Sequence, residues 1–253
     1  MPNSYAILSE IEVMLSERHI RFDNLTHLDW IRQRKAGKTF TMSEHIRALV
    51  YSQLSNNRPW MQIESHIHQI DHIFFAYDKE KILGTSPDYF LDEIQAIRCG
   101  NRGIKKQMYA LHENIRKFER IEREFGSMDR FVVSGTAIEI ADLLANSLKY
   151  KINALGLALA MEYLRNVGID AAKPDTHIRR ILGRERLGYS TKVESGAYEA
   201  IEIIDAISRE TGYTASQIDA VFWLFCSEDN GMICTEKPHC SQCRLHSKHC
   251  RHT

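Results

Sequence analysis

The sequence lacks a net charge. Its 253 residues carry 33 Lys or Arg and 33 Asp or Glu, so the formal net charge at pH 7 is zero. A domain that binds nucleic acid through its overall charge is usually basic, so the composition alone does not indicate that partner. Two stretches are nevertheless locally basic, residues 173–186 with five Lys or Arg and residues 234–253 with four. Such local faces can attract phosphate groups although the total charge is neutral.

The sequence also lacks apolar segments long enough to cross a bilayer. Its longest apolar runs, such as residues 155–161, are far shorter than the roughly 20 residues that a membrane helix needs. The first residues, MPNSYAILSEIEVMLSERH, include acids and lack a basic segment followed by an apolar one, so no signal peptide is predicted. We therefore expect a cytoplasmic protein with no membrane partner.

Strand patterns, internal repeats and long linkers are scarce or absent. Apolar residues recur at spacings of three and four, which predicts helices at residues 7–15, 45–54, 63–74, 104–118, 137–148, 154–164, 178–187, 197–207 and 218–225. Residues 130–134, RFVVS, hint at a strand but are too few to rely on. Thr41 or Ser43 can cap one helix, and Thr214 or Ser216 can cap the last. The sequence thus predicts an all-α protein with two lobes.

Cysteine is sparse along most of the chain and crowded near its end. Cys99 and Cys226 stand apart, whereas the pattern Cys-x5-Cys-x2-Cys-x6-Cys contains Cys234, Cys240, Cys243 and Cys250. A disulfide framework would spread its cysteines along the chain, so the crowding favours a metal site. Four thiolates can bind zinc or hold a [4Fe-4S] cluster, and the spacing alone leaves the two metals nearly balanced. Metal binding would stabilise a loop that has few apolar residues.

Two further stretches carry candidate chemistry. Residues 152–156, INALG, lie between two helical patterns, and a tight turn there would expose backbone N–H groups of the following helix to a phosphate. Further along, Pro174 disfavours helix in the residue before it, so Asp175 is placed to begin a helix over residues 176–187. Taken alone, Asp175 is best interpreted as an N-cap residue that satisfies the first N–H groups of its helix.

Together these stretches resemble the endonuclease III branch of the helix-hairpin-helix DNA glycosylases. That family has a Leu-Pro-Gly-Val-Gly-type hairpin, then an Asp-Thr-His motif, then four cysteines that bind a [4Fe-4S] cluster. The matching stretches here, in the same order, are residues 152–156, Asp175-Thr176-His177 and the closing cysteines. Upstream, VYSQLSN at residues 50–56 is similar to the family's Leu-Ser-Ala-Gln stretch, and IQAIRCGNRGIKKQ at residues 94–107 is similar to its wedge-loop segment. The resemblance covers residues 40–253 and favours [4Fe-4S] over zinc.

The resemblance implies a two-lobed helix-hairpin-helix fold and a double-stranded DNA partner. A six-helix lobe would span residues 40–165, and residues 1–39 with 166–253 would form the iron–sulfur cluster lobe, its Cys loop at 234–250. A target base would be flipped out of the duplex into the cleft between the lobes. Asp175 would stabilise positive charge on the deoxyribose while the N-glycosidic bond breaks, as carboxylates do in sugar hydrolysis. The residues implied to contact DNA are Gln53, Asn101, Lys151, Ile152, Asn153, Ala154, Leu155, Gly156, Lys237, Arg244 and Lys248.

Departures from the family pattern refine the expected activity. Bifunctional members carry a Lys two residues after the last hairpin Gly, where this chain has Ala158, and an Ala cannot form an imine. We therefore expect a monofunctional glycosylase that leaves an abasic site. Adenine-removing members place an acid five residues before the Gln, where this chain has Ala48, which weighs against an adenine mispair. The first hairpin Gly is replaced by Ala154, and the cluster arms differ from the family's usual x6 and x5.

Three alternatives stay open at the level of the sequence. The chain can be a non-catalytic iron–sulfur DNA-binding protein of the same fold, or a bifunctional glycosylase and lyase that uses Lys149 or Lys151. It can also be a zinc-stabilised helical interaction module, which the neutral net charge favours. The excised base is left open among mispaired, alkylated, oxidised and other modified bases. The expected protein is a monomer in a prokaryotic cytoplasm, associated with the nucleoid.

Overall fold

The computed structural model describes residues 2–22, 25–58, 60–246 and 248–251. Within these ranges the chain forms α-helices and two short 3-10 turns, Phe75–Tyr77 and Cys240–Gln242, and no strand. The all-α prediction is therefore confirmed for the described residues. The α-helices are α1 Ser4–Glu17, α2 Thr26–Lys35, α3 Met42–Leu54, α4 Trp60–Glu64, α5 Ile67–Ile73, α6 Lys79–Leu83, α7 Pro87–Ala96, α8 Ile104–Phe125, α9 Met128–Val132, α10 Ala137–Asn146, α11 Leu157–Asn166, α12 Thr176–Ile181, α13 Ala197–Thr211 and α14 Ala215–Cys226.

The chain divides into two compact units. The first unit comprises Met1–Asp29 and Asp170–Thr253, and the second comprises Trp30–Ile169. The lobes expected from the sequence include residues 1, 23, 24, 59, 247, 252 and 253, which lie outside the described residues. None of the described helices has the length and apolar character that a membrane span requires.

The first unit has its core between α1, α12, α13 and α14. Apolar side chains at spacings of three and four on α1 are fully buried, and the last two helices supply the facing layer. Burying one Leu, Ile or Phe stabilises a fold by about 1.5–3 kcal/mol, so this layer dominates the stability of the unit. The largest buried members are Ile7, Leu8, Ile11, Met14, Leu15, Phe222 and Phe225.

Helix starts in both units follow the expected capping chemistry. Thr41 forms a capping box with Glu44, and Thr214 forms one with Gln217, so one residue of each predicted pair is confirmed as the N-cap. Such a cap contributes about 1 kcal/mol because it satisfies N–H groups that have no partner inside the helix.

One local prediction is wrong, and one weak hint is not realised. No strand forms at the RFVVS segment: residues 130–132 belong to α9, which begins at Met128 behind Ser127, whose side chain accepts from the backbone N–H of Arg130. The helix expected over residues 176–187 ends at Ile181. The chain reverses there so closely that a Cβ on Gly183 would lie 1.9 Å from the Val193 carbonyl oxygen. Apolar spacing could not reveal this reversal, because it continues through the turn.

A buried polar network stabilises the core of the second unit. The His45 Nδ1 lies 2.6 Å from the Tyr163 hydroxyl, and its Nε2 lies 3.6 Å from Asp129 Oδ1. Arg34 pairs with both oxygens of Asp129. Burial raises the pKa of Asp129, but contacts with His45 and Arg34 outweigh burial and hold that pKa well below its usual range. Burial lowers the pKa of His45, so the imidazole is neutral at neutral pH.

This network predicts a stability that decreases in mild acid. A histidine in the unfolded chain takes up a proton near pH 6.5, whereas His45 in the folded protein does so only at lower pH. The contribution of His45 to the free energy of unfolding is thus fully present above pH 6.5. Below pH 6.5 the free energy of unfolding falls by up to ~1.4 kcal/mol per pH unit, until the pH reaches the lowered pKa of His45 in the folded protein. Urea unfolding of the wild type and His45→Gln between neutral and mildly acidic pH measures this effect.

The Gln variant can accept from Tyr163 without titrating, so its curve should be flatter than that of the wild type. His177→Gln is measured alongside, because burial also lowers the pKa of His177 and that residue could contribute to the same slope. If the free energy of unfolding falls with the same slope for the wild type and His45→Gln, the acid sensitivity does not come from His45.

Candidate nucleic-acid and catalytic site

Gln53, in the last turn of α3, joins that helix to the predicted hairpin of the second unit. Its side chain is fully buried, and its Nε2 donates to the Asn153 carbonyl oxygen at 3.3 Å. Its Oε1 is buried and accepts no hydrogen bond from the described residues. A buried unpartnered acceptor costs about 1–3 kcal/mol, so this amide is positioned at the expense of stability.

Two further amides hold the end of α3 in place. Asn101 Nδ2 donates to the Gln53 carbonyl oxygen at 2.8 Å, and Gln107 Nε2 donates to the same oxygen at 3.1 Å. Asn101 also donates to Gln107 Oε1 at 3.2 Å. The predicted DNA-contacting residue Asn101 therefore has a definite structural role, and Gln107, which the sequence did not single out, shares it.

The hairpin is held in place through the backbone groups of Asn153. Asn114 on α8 accepts from the Asn153 N–H at 2.8 Å and donates to its carbonyl oxygen at 3.0 Å. Sequence reasoning missed Asn114, although a signal was present: Gln107 and Asn114 are polar residues on the buried stripe of an amphipathic helix. Buried amides need partners, so a polar residue in such a stripe indicates a backbone contact.

The predicted hairpin residues adopt a tight turn that precedes α11. Ile152 and Leu155 are buried anchors, and the Ile152 N–H donates to the Leu144 carbonyl at 2.8 Å. Ala154 has φ +56°, in the left-handed region that glycine adopts most easily. Gly156 is the N-cap of α11, no side chain caps this helix, and the space beside Gly156 is open. The helix start is therefore open to an anion.

Ala154→Gly is expected to stabilise the protein. The left-handed region costs a residue with a Cβ about 1–2 kcal/mol, of which glycine's extra freedom in the unfolded chain offsets part. We expect a gain of about 0.5–1 kcal/mol and a rise in Tm of about 2 °C. Thermal unfolding measures it.

Ala160→Gly, inside α11 and fully buried, is the matched control, and it should lower the Tm. A lower Tm for both variants would contradict the strained turn at Ala154.

The lysines near the hairpin differ in their surroundings. The Lys149 ammonium lies 2.6 Å from Glu124 Oε1, and this contact raises the pKa of Lys149. A raised pKa keeps the amine protonated, the opposite of what an imine-forming nucleophile needs. Lys151 is exposed, and its carbonyl oxygen accepts from Lys117 Nζ at 2.8 Å.

In the first unit, Asp175 is the N-cap of α12. Its Oδ1 accepts from the backbone N–H groups of His177 at 2.9 Å and Ile178 at 3.1 Å. Its Oδ2 makes no hydrogen bond to the described residues. The capping role expected from the sequence is thus real, and it uses one carboxylate oxygen and leaves the other for a further partner.

The segment before Asp175 is fixed to the start of α14. Ser216 Oγ accepts from the Ala171 N–H at 3.0 Å and donates to the Ala171 carbonyl at 2.9 Å. Asp219 Oδ1 accepts from the Lys173 N–H at 2.9 Å. Ser216 and Asp219 are both buried, so these bonds are protected from water and hold the extended segment in one position.

His177 and Arg180 follow Asp175 on α12. Burial lowers the pKa of His177, and Arg180 Nη2 lies 3.1 Å from its Nδ1. A neutral ring accepts that bond at Nδ1. The Arg180 guanidinium therefore has a neutral His177 ring beside it at neutral pH, and not a second positive charge.

Cys243 of the cysteine loop is partly buried, and burial raises the pKa of its thiol. Charge on Cys234 or Cys250 would raise that pKa further, whereas the nearby backbone of Leu245 and His246 lowers it. Cys240 begins the 3-10 turn and is partly exposed. Ser247, within the loop, is outside the described residues.

Cys226 is a thiol beside the cluster that the sequence did not connect with it. A hydrogen bond from Cys226, together with the Arg186 and Arg180 guanidinium groups, lowers the pKa of Cys234. Burial raises the pKa of Cys226 well above its usual range. Cys234 is therefore the thiol that most readily becomes the thiolate a soft metal requires.

The described residues contain no group of three or more His, Cys, Asp or Glu side chains arranged to hold a metal ion. The thiol chemistry suits a sulfur-ligated cofactor, since Cys thiolates hold iron–sulfur clusters. The donor set thus fits in kind, while its arrangement is not that of a closed ligand shell. The [4Fe-4S] assignment stays a prediction, with zinc as its alternative.

Metal analysis of the purified protein tests that assignment. We expect about four iron atoms and four acid-labile sulfides per chain and a brown colour. Cys243→Ala should lose them, because it removes a ligand. Cys99→Ala is the control, since Cys99 is buried in the other unit.

About one zinc per chain without sulfide would favour the alternative metal. Protein that folds fully with neither metal would contradict both assignments.

The predicted phosphate contacts of the loop differ among themselves. Lys237, Arg244 and Lys248 are all exposed. Arg244 forms an ion pair with Glu17 on α1, whereas Lys237 and Lys248 form no side-chain ion pair or hydrogen bond within the described residues. Lys237 and Lys248 are therefore more available to a phosphate partner than Arg244, whose charge is already paired with Glu17.

The fold is that of the helical DNA glycosylases, which confirms the fold predicted from the sequence. No protein-family model matches the chain. The 8-oxoguanine DNA glycosylase of Thermotoga maritima is 18% identical, with a TM-score of 0.59 over 88% of this chain and 97% of that one. The 8-oxoguanine glycosylase/lyase of Methanocaldococcus jannaschii, crystallised with a 15mer DNA containing 8-oxoguanine, is 19% identical, with a TM-score of 0.58 over 87% and 96%. A second structure of the Methanocaldococcus jannaschii 8-oxoguanine DNA glycosylase gives 19% identity and a TM-score of 0.59 over 87% and 93%.

Proposed function

We propose that the chain is a DNA glycosylase that removes a damaged base from double-stranded DNA in base excision repair. The observation that carries the proposal is the Asp175 carboxylate, rigidly held through Oδ1 while Oδ2 has no partner among the described residues. The fold similarity to 8-oxoguanine DNA glycosylases supports it and makes 8-oxoguanine the first candidate base.

The proposed reaction is a hydrolysis. The bond between the base nitrogen and C1′ of the deoxyribose breaks, and its electron pair leaves with the base. Asp175 stabilises the positive charge that develops on the sugar, and it orients the water whose oxygen bonds to C1′. The water loses a proton, the base gains one, and an abasic site remains in an uncut strand.

The absence of strand cutting follows from the amines near the hairpin. Ala158 cannot form an imine with the sugar. Lys149 is paired with Glu124, which raises its pKa and keeps it protonated. The lyase named for one Methanocaldococcus structure is therefore not carried over to this chain.

The DNA contacts proposed for the hairpin use backbone groups. The open start of α11 at Gly156 would bind a phosphate of the strand, as helix starts do. Gln53 would meet a base with its unpartnered Oε1. In the first unit, a [4Fe-4S] cluster would hold the loop so that Lys237 and Lys248 reach further phosphates.

A panel of labelled duplexes, each with one candidate base, tests the proposed function. The panel holds 8-oxoguanine, other oxidised bases, alkylated purines, and uracil and thymine mispairs. We expect cleavage of the 8-oxoguanine strand only after alkali, because alkali breaks an abasic site that the protein leaves intact. Borohydride should trap no covalent complex, since no imine forms.

An Ala158→Lys variant provides a positive control for trapping, because it restores an amine at the position of the family's nucleophile. Cutting by the wild type without alkali would overturn the monofunctional proposal and direct attention to Lys151. No excision from any duplex would contradict the glycosylase proposal.

One observation favours a second candidate, a non-catalytic DNA-binding protein. Asp175 caps α12, so its presence has a structural explanation that requires no chemistry. This candidate predicts DNA binding without excision of any base, which the same duplexes detect.

A further inference from the structure

Two histidines of the second unit have no role in the proposed reaction or in the core of the unit. The unit contains five histidines, and three of them bond through a ring nitrogen to another protein group: His45, His66 and His112. The other two, His68 and His72, are exposed and form no hydrogen bond or ion pair with the described residues. Their ring nitrogens are therefore available to an external ligand.

His68 and His72 lie on one face of α5. Side chains four residues apart in a helix are neighbours, with Cβ atoms about 5–6 Å apart. The buried residues of this helix are Ile70 and Ile73, so the two histidines project away from the core. Two imidazoles at this spacing can bind the same metal ion, because both rings lie on one helix face and neutral imidazole is the commonest metal ligand in proteins.

A surface cavity of about 340 Å³ lies beside the histidine pair. The residues that line it are His68, Gln69, His72, Ile73, Glu93 and Ile97. Glu93, on α7, is exposed and forms no ion pair with the described residues. Its negative charge attracts a cation and repels a phosphate or a carboxylate. The cavity therefore favours a cationic ligand.

The helix that carries the histidine pair is short and is followed by a strained turn. It has seven residues, a length at which an isolated helix is unstable in water. Phe75, Ala76 and Tyr77 then have φ values of +53°, +49° and +63°, in the left-handed region that is unfavourable for a residue with a Cβ. A ligand that joins two turns of α5 would therefore stabilise a segment whose own backbone contributes little stability.

We propose that His68 and His72 bind one divalent transition-metal ion of the kind that imidazole prefers, such as Ni²⁺ or Zn²⁺. Glu93 stabilises the ion through its negative charge in the same cavity. The described residues contain no set of three His, Cys, Asp or Glu side chains arranged to hold a metal, so the two imidazoles are the protein ligands and water completes the coordination. The cysteine loop belongs to the other unit, and the histidine site is independent of base excision.

Calorimetric titration of the purified protein with Ni²⁺ tests the inference. The wild type should bind about one Ni²⁺ per chain more than His68→Gln/His72→Gln does, because the variant lacks both imidazoles. The cysteine loop is the same in both proteins, so any ion that it takes up cancels in the difference. Without metal the variant should keep the wild-type Tm, since both histidines are exposed and unbonded. Equal Ni²⁺ binding by the two proteins would overturn the inference.

The matched control is His19→Gln/His66→Gln, which removes the same number of imidazoles and leaves the pair on α5 intact. It should bind Ni²⁺ as the wild type does, and an equal loss in both double variants would overturn the inference. Glu93→Gln should weaken binding about tenfold, as the loss of a carboxylate beside a metal site does. Unchanged affinity in Glu93→Gln would contradict the role of its charge.

Thermal unfolding gives a second measurement of the same site. An ion that binds the folded protein raises its Tm, so Ni²⁺ should raise the Tm of the wild type more than that of His68→Gln/His72→Gln. An equal rise for both proteins would place the ion elsewhere and overturn the inference.

A measurement on the wild type alone locates the ion without any variant. In protein with isotope-labelled histidines, Zn²⁺ should shift the ring signals of His68 and His72 in the nuclear magnetic resonance spectrum. The signals of His45 and His112, whose rings bond to protein groups, should not move. Shifts confined to other histidines would overturn the inference.

Discussion

The hydrogen bonds to the backbone of Asn153 are the constraint on which the second unit's candidate site depends. Asn114 binds both its N–H and its carbonyl, and Gln53 adds a second donor to the carbonyl. Backbone groups held in this way leave the turn one conformation, so Ala154 tolerates a left-handed φ that an isolated turn would avoid. The same network extends through Asn101 to Gln107 on α8. One set of amides thus positions the hairpin proposed to bind the DNA backbone and Gln53, the proposed base contact.

The first unit holds the Asp175 carboxylate in one position. Asp175 is fixed by two N–H groups of α12, and the segment before it is bonded to Ser216 and Asp219. A cap uses one oxygen of the carboxylate, so the structural and the proposed chemical roles do not compete. This division explains why an interpretation as a plain N-cap and a catalytic proposal can both fit the same residue.

The sequence predicted the helical class, three N-caps and the fold, because these depend on local spacing and on motifs in a fixed order. It did not predict the early end of α12 at Ile181, since the reversal at Gly183 depends on a contact with Val193, ten residues away. The candidate site was predicted as a set of residues, whereas the Asn114 contact and the Cys226–Cys234 pair depend on packing between distant segments. The excised base is still a proposal, because pocket shape is set by side chains that no motif fixes.

We propose that Asp175 acts chemically as well as structurally. The most direct measurement compares single-turnover base excision and thermal unfolding for the wild type, Asp175→Asn and Asp175→Ala. Asn caps a helix about as well as Asp but carries no charge, whereas Ala loses both properties. We predict that Asp175→Asn keeps the wild-type Tm and loses excision on the order of a hundredfold or more, as when a charge-stabilising group is removed from an active site. Wild-type excision by Asp175→Asn would contradict the account and leave Asp175 as a helix cap.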